Sequence, residues 1–135
     1  MRAVEVLLLK KIINSLNKLR RYCRTALTTT LITDLLRPPT TSGGVNAGAA
    51  NCYIILKHIR IVNRTSAAAT FSLWLGASAG NAAGTEVIGQ GLTVQANQAF
   101  DWYGLLRIDY ADYLVGGAGS ANALTIQGEG EIGVA

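Results

Sequence analysis

Apolar positions in this chain follow two different periods, and the change falls near residue 27. Over residues 4–27, Val4, Leu8, Ile12, Leu16, Leu19, Cys23 and Ala26 recur at steps of four and three. That spacing stacks them on one face of a helix. Lys10, Asn14, Asn17, Arg21 and Arg24 step along another face by the same rule. Gly and Pro are absent from the stretch, and its Leu, Lys and Arg residues favour helix. The pattern predicts an amphipathic helical arm over residues 1–27.

Residues 28–50 predict an extended segment and a flexible linker. Thr28, Thr29 and Thr30 are stiff, β-branched residues that suit an extended chain, and residues 30–36 have the character of a first strand. Pro38 and Pro39 then interrupt any regular ladder. Thr, Ser, Gly, Asn and Ala dominate residues 40–50 and leave little to bury.

From residue 51 the pattern is strand, turn, strand. Residues 52–62 are dense in Ile, Leu and Val and have the length of a long central strand. Residues 70–76 alternate, with Phe71, Leu73 and Leu75 on one face and Ser72 and Trp74 on the other. Short strands are predicted at 85–88, 92–95, 99–103, 105–108, 123–127 and 131–134, with Gly128 and Gly130 loosening the ladder between the last two. Residues 76–84 and the run Gly116-Gly117-Ala118-Gly119 read as glycine-rich turns. Strands this short and close, with no helical pattern among them, predict a mainly β fold over 51–135. Its form is an antiparallel β-sandwich or jelly roll.

Charge sharpens the division. Residues 1–24 carry seven basic side chains against Glu5 alone, a local net of +6, whereas the remainder nets −2. The overall +4 therefore belongs to the arm. Only 15% of the residues are charged, below the ~25% usual for soluble proteins, which favours a surface partly covered by other copies. The apolar run 6–9 is cut by Lys10 and Lys11 and is far shorter than the ~20 residues of a membrane span. Cys23 and Cys52 have no metal-ligand spacing and read as two idle or buried thiols.

Convergent chemistry is scarce. His58 is the only histidine, and no zinc-type spacing or Ser-His-Asp set can be assembled around it. Asp101, Asp109 and Asp112 are close in sequence, but Asp109 and Asp112 flank a turn, where aspartates bond nearby amides. The glycine runs lack the lysine that a phosphate loop requires. The Asn63-Arg64-Thr65 triplet fits a glycosylation acceptor, but no secretory signal accompanies it. No catalytic residue, metal ligand or cofactor is expected.

What remains is a set of contact residues. Trp102, Tyr103, Arg107 and Asp109 read as interface positions, because aromatic residues are enriched in interface cores. Arg107 and Asp109 share a strand face and can pair across a subunit boundary. In the arm, Val4, Leu8, Ile12, Leu16 and Leu19 form the apolar stripe that would latch onto protein. Lys10, Arg21 and Arg24 form the aligned cationic set that would meet nucleic-acid phosphates. A lipid surface is a third reading of the same face.

The run Phe71-Ser72-Leu73-Trp74-Leu75-Gly76-Ala77, then Gly84-Thr85-Glu86, Phe100-Asp101-Trp102-Tyr103-Gly104 and Gly128-Glu129-Gly130-Glu131-Ile132-Gly133-Val134, resembles small structural proteins of tailed bacteriophage virions. The resemblance spans roughly residues 51–135 and leaves out the arm. It implies a non-enzymatic β-sandwich protein that assembles with copies of itself and other virion proteins in the host cytoplasm. Its position would be head decoration, neck or tail, with the arm reaching a neighbour or packaged DNA. The competing expectation is a carbohydrate-binding β-sandwich in which Trp74 or Trp102 stacks on sugar.

Overall fold

The computed structural model describes residues 5–6, 19–42 and 46–135. Eight strands follow in order: β1 (Arg20–Ala26), β2 (Thr33–Leu36), β3 (Cys52–Asn63), β4 (Ala69–Gly76), β5 (Leu92–Val94), β6 (Ala99–Ile108), β7 (Tyr113–Ala118) and β8 (Leu124–Val134). A 3-10 turn, Pro38–Thr40, follows β2. The strands form two four-stranded antiparallel sheets, β1-β8-β3-β6 and β2-β7-β4-β5. One apolar cluster draws on both, with Cys23, Ile54, Leu56, Ile59, Ile61, Ile108 and Ile126 from the first and Leu36, Phe71, Leu73, Val94 and Leu114 from the second. The Phe71 and Phe100 rings meet between the sheets at 5.3 Å.

The helix expected through residue 27 is corrected at its C-terminal end. Residues 20–26 are strand β1, paired with β8 from Arg20↔Gly130 to Ala26↔Thr125. Helix propensity is a weak force beside a free ladder edge. Here Cys23 turns inward onto Gly128, where no side chain competes for the space. Ala26, assigned to the apolar stripe, is exposed, and Leu27 is buried instead. The two-sheet body thus begins at Arg20 rather than 51, and β2 is part of it rather than of a linker. Val4, Leu8, Lys10, Ile12 and Leu16 lie outside the described residues.

The central strand breaks its alternation once. Cys52, Ile54 and Leu56 are buried, then Ile59, Ile61 and Asn63, so the inward phase shifts at Lys57 and His58. The register against both β6 and β8 shifts at the same step, the behaviour of a β-bulge. This displacement puts His58 on the outer face.

Sheet β2-β7-β4-β5 is covered on its outer side too. Trp74 pairs with Val115, both are buried, and neither belongs to the central cluster. Asp34 on β2 holds the loop after β4, accepting hydrogen bonds from the Ala79 amide (2.7 Å) and the Ser78 hydroxyl. Reaching β2 from β4 means crossing β7, and that path lies over Trp74 and Val115. Residues 85–89 then run beside β4 through Leu75 N–H to Thr85 O and Val87 N–H to Leu73 O. The strand expected at 85–88 is reduced to one bridge, Trp74↔Glu86, because the chain turns at Ile88 (φ 67°). Asn63 is 1% exposed, and its amide donates to the Ala67 and Val94 carbonyls. It is a buried clamp, closed to glycosylation in the folded chain.

Cys23 and Cys52 are free and buried. Burial pushes the Cys23 thiol up to about 11. The unfolded chain therefore releases this proton first, so stability is complete below pH ~9 and falls by about 2–3 kcal/mol as pH rises to ~11. Urea melts between pH 9 and 10 should show that slope, and Cys23→Ala should flatten it. At pH 8 the native protein should resist thiol reagents for many minutes, while the unfolded chain titrates two thiols.

Candidate interaction surface

The outer face of the β1-β8-β3-β6 sheet carries a band of ionisable side chains. Cross-strand register sets them in rows. Arg21, Glu129, His58 and Tyr103 line up across the four strands, and Arg24, Gln127, Arg60 and Asp101 form the next row. His58 sits at the centre. Its Nε2 is 2.7 Å from Asp101 Oδ1, its Nδ1 is 3.5 Å from Glu129 Oε1, and the Tyr103 ring stacks on it at 4.5 Å, 5° from parallel. Asp101 also lies 3.7 Å from Arg60 Nε, and Lys57 pairs with Glu131 at 3.0 Å.

This constellation was not visible in the sequence, since His58, Asp101 and Glu129 are joined only by register. Its chemistry is that of a fixed bridge. Both imidazole nitrogens face carboxylates and the ring plane is covered by Tyr103, so no ring nitrogen is directed at a substrate-sized space. Among the described residues, no group of three or more His, Cys, Asp and Glu side chains is arranged to hold a metal ion.

The expected interface positions separate in the structure. Trp102 turns inward and packs against the core. Tyr103 and Leu105 stand on the outer face of β6, 72% and 76% exposed, the two most exposed large apolar side chains among the described residues. Leu105 carried no signal of its own in the sequence beyond apolarity. Arg107 and Asp109 do pair, but within one chain, at 2.7 Å, which pushes the Arg107 pKa up from its ordinary value. The guanidinium also lies over the Tyr53 ring at 3.9 Å. Asp109 and Asp112 close the turn after β6, the Asp109 amide donating to the Asp112 carboxylate.

Arg21 and Arg24 are exposed on edge strand β1, opposite Glu129 and Gln127. Leu19 is 52% exposed just before that strand. A concavity beside β2 is lined by Arg21, Tyr22, Leu35, Leu36, Thr40 and Thr41. None of these described lining residues is a carboxylate or imidazole, and Asp34 lines the concavity that adjoins it across Leu35, Leu36 and Thr40. No described helix is long and apolar enough to cross a membrane.

β6 thus ends the sheet as a ten-residue edge. Among the described residues its backbone groups on one side have no strand partner, and it lacks the Pro or Lys that commonly blunts such an edge. No protein-family model matches the chain, and no curated protein is detectably similar to it.

Proposed function

We propose that this chain is a non-enzymatic structural protein that self-assembles, and that it decorates or connects parts of a tailed phage particle. The observation that carries the reading is the β6 edge, where Tyr103 and Leu105 stand in water beside an unpaired ladder. An exposed apolar pair on an open edge is a pairing template, and its cost in a monomer is recovered when a copy covers it. The finer fold reading is an eight-stranded jelly roll, since the orders β1-β8-β3-β6 and β2-β7-β4-β5 interleave as two Greek keys. That architecture serves viral capsids and lectins alike, so the site rather than the fold must choose between them. Trp74 is 3% exposed and Trp102 packs on the core, which leaves the carbohydrate reading without its stacking rings.

Within this proposal the arm reaches a neighbouring protein or packaged DNA, with Arg21 and Arg24 already outward on β1. Sedimentation velocity from micromolar to hundred-micromolar concentration tests the assembly reading. A discrete oligomer is expected. A monomer throughout that range, together with specific binding to a sugar array, would replace this reading with the carbohydrate one.

A further inference from the structure

We propose that β6 pairs antiparallel with β6 of a second copy about a two-fold axis through Gly104, joining two four-stranded sheets into one of eight strands. The inference rests on the self-assembly reading and specifies its partner and register. In an antiparallel pair, directly opposite residues share a face. Only registers that set outward residues against outward residues are therefore allowed, which confines the axis to a residue position.

With the axis at Gly104, Asp101 faces Arg107 of the second copy and Arg107 faces its Asp101, so the charge match occurs twice by symmetry. Tyr103 faces Leu105 of the second copy, and the reciprocal contact covers both of the most exposed apolar side chains. The neighbouring registers lose this. An axis at Tyr103 sets Asp101 against Leu105, and an axis at Leu105 sets Asp101 against Asp109 of the second copy, a like-charge contact.

Gly104 also fits the axis. It lies between Tyr103 and Leu105 on the opposite phase of the strand, so no side chain at the axis competes with theirs on the outer face. A Cβ there would come within 2.6 Å of the Trp102 ring. Asp101 and Arg107 keep their existing partners, His58 and Asp109, and remain partly exposed, 31% and 51%.

Cysteine pairing tests the register in the full-length chain. Directly opposite Cα atoms lie about 4.5–5.5 Å apart, within the span of a disulfide, and native Cys23 and Cys52 are buried and do not compete. Tyr103→Cys and Leu105→Cys proteins, co-expressed and gently oxidised, should give a disulfide-linked dimer, whereas neither variant alone should. Both positions are exposed, and circular dichroism checks that each variant folds. A bond in Tyr103→Cys alone, or in Leu105→Cys alone, would move the axis and overturn the Gly104 register. A protein that sediments as a dimer yet forms no bond in any arm would refute β6 pairing while leaving self-assembly standing. A protein that is monomeric throughout would remove both. Independently, Leu105→Lys should weaken the dimer about 100-fold, because symmetry deletes the contact twice.

Discussion

Gly130→Ala should lower the melting temperature by roughly 10–15 °C or prevent soluble expression. Gly130 lies inside β8, opposite Leu56 on β3 and Arg20 on β1. A Cβ at this position would overlap the Ile55 carbonyl oxygen and approach within 2.8 Å of both the Ile55 carbonyl carbon and Leu56 Cα. All three are backbone atoms, so no rotamer change relieves the contact. The alternative is to push apart β3 and β8 at the step where the β3 register already shifts. Overpacking against side chains costs about 1–3 kcal/mol. A collision with a central strand should cost at least ~3 kcal/mol, and each kcal/mol is worth about 4 °C in a domain of this size. Gly91→Ala is the control. It has open space around it but a φ of +66°, so it should cost only about 1–2 kcal/mol. A Gly130→Ala protein melting within a few degrees of wild type would mean that β8 does not approach β3 as described.

Glycine is also where the sequence misled. Gly128 and Gly130 suggested a ladder coming apart, and the run at 116–119 suggested a turn. In the structure the first pair lies within one continuous strand, β8, and residues 113–118 form β7. A Cβ on Gly117 would meet Leu31 Cα and the Thr28 carbonyl oxygen below 3 Å. Glycine marks a close approach here rather than a reversal, and the two uses look the same in one dimension. Gly104 likewise split β6 into two expected strands that are one. By contrast, β3 was legible as a long run dense in Ile, Leu and Val whose buried positions alternate on either side of Lys57 and His58, and β4 was legible from its alternating residue types, although both of its faces are buried from Phe71 to Trp74. The mainly β fold was legible for the same reason.

The end of the arm, residues 20–26, misled differently. A three-four spacing and a strand with one register shift, here between Arg21 and Cys23, can share the same few apolar residues. Cys23 satisfied both patterns, and pairing with β8 decided between them. Of the candidate surface, Tyr103 was expected at an interface and is exposed on β6, while the His58 bridge beneath it depends on cross-strand register that no local pattern reveals. Arg107 and Asp109 were rightly paired by spacing, yet spacing could not say that they pair within one chain.

The second large effect belongs to Asn63. Its side-chain amide donates to Ala67 O at 2.8 Å and Val94 O at 3.0 Å, and its Oδ1 accepts from the Thr65 amide (2.9 Å) and hydroxyl (2.7 Å). The residue ends β3 in one sheet, while Val94 ends β5 in the other, so the clamp joins the sheets. Asn63→Ala leaves these groups unpaired and opens a small cavity, a loss of about 3 kcal/mol with little pH dependence. Asn63→Asp keeps the shape and the two acceptor bonds, but sets a carboxyl oxygen against two carbonyl oxygens. Protonated, the introduced carboxyl can donate to one of them; ionised, it is a buried charge facing two negative dipoles. Its folded pKa must therefore rise above the unfolded ~3.9. The folded state then binds the proton more tightly. Its deficit against wild type should be smallest below pH ~4 and grow by up to about 1.4 kcal/mol per pH unit above that, until the folded pKa is reached. Urea melts of wild type and both variants at pH 4 and pH 7 separate the cases. Asn63→Asp should overtake Asn63→Ala as the more damaging change at pH 7 and lose that rank at pH 4. Equal stabilities of Asn63→Asp and wild type at pH 7 would mean that the amide faces water and the sheets are joined without it.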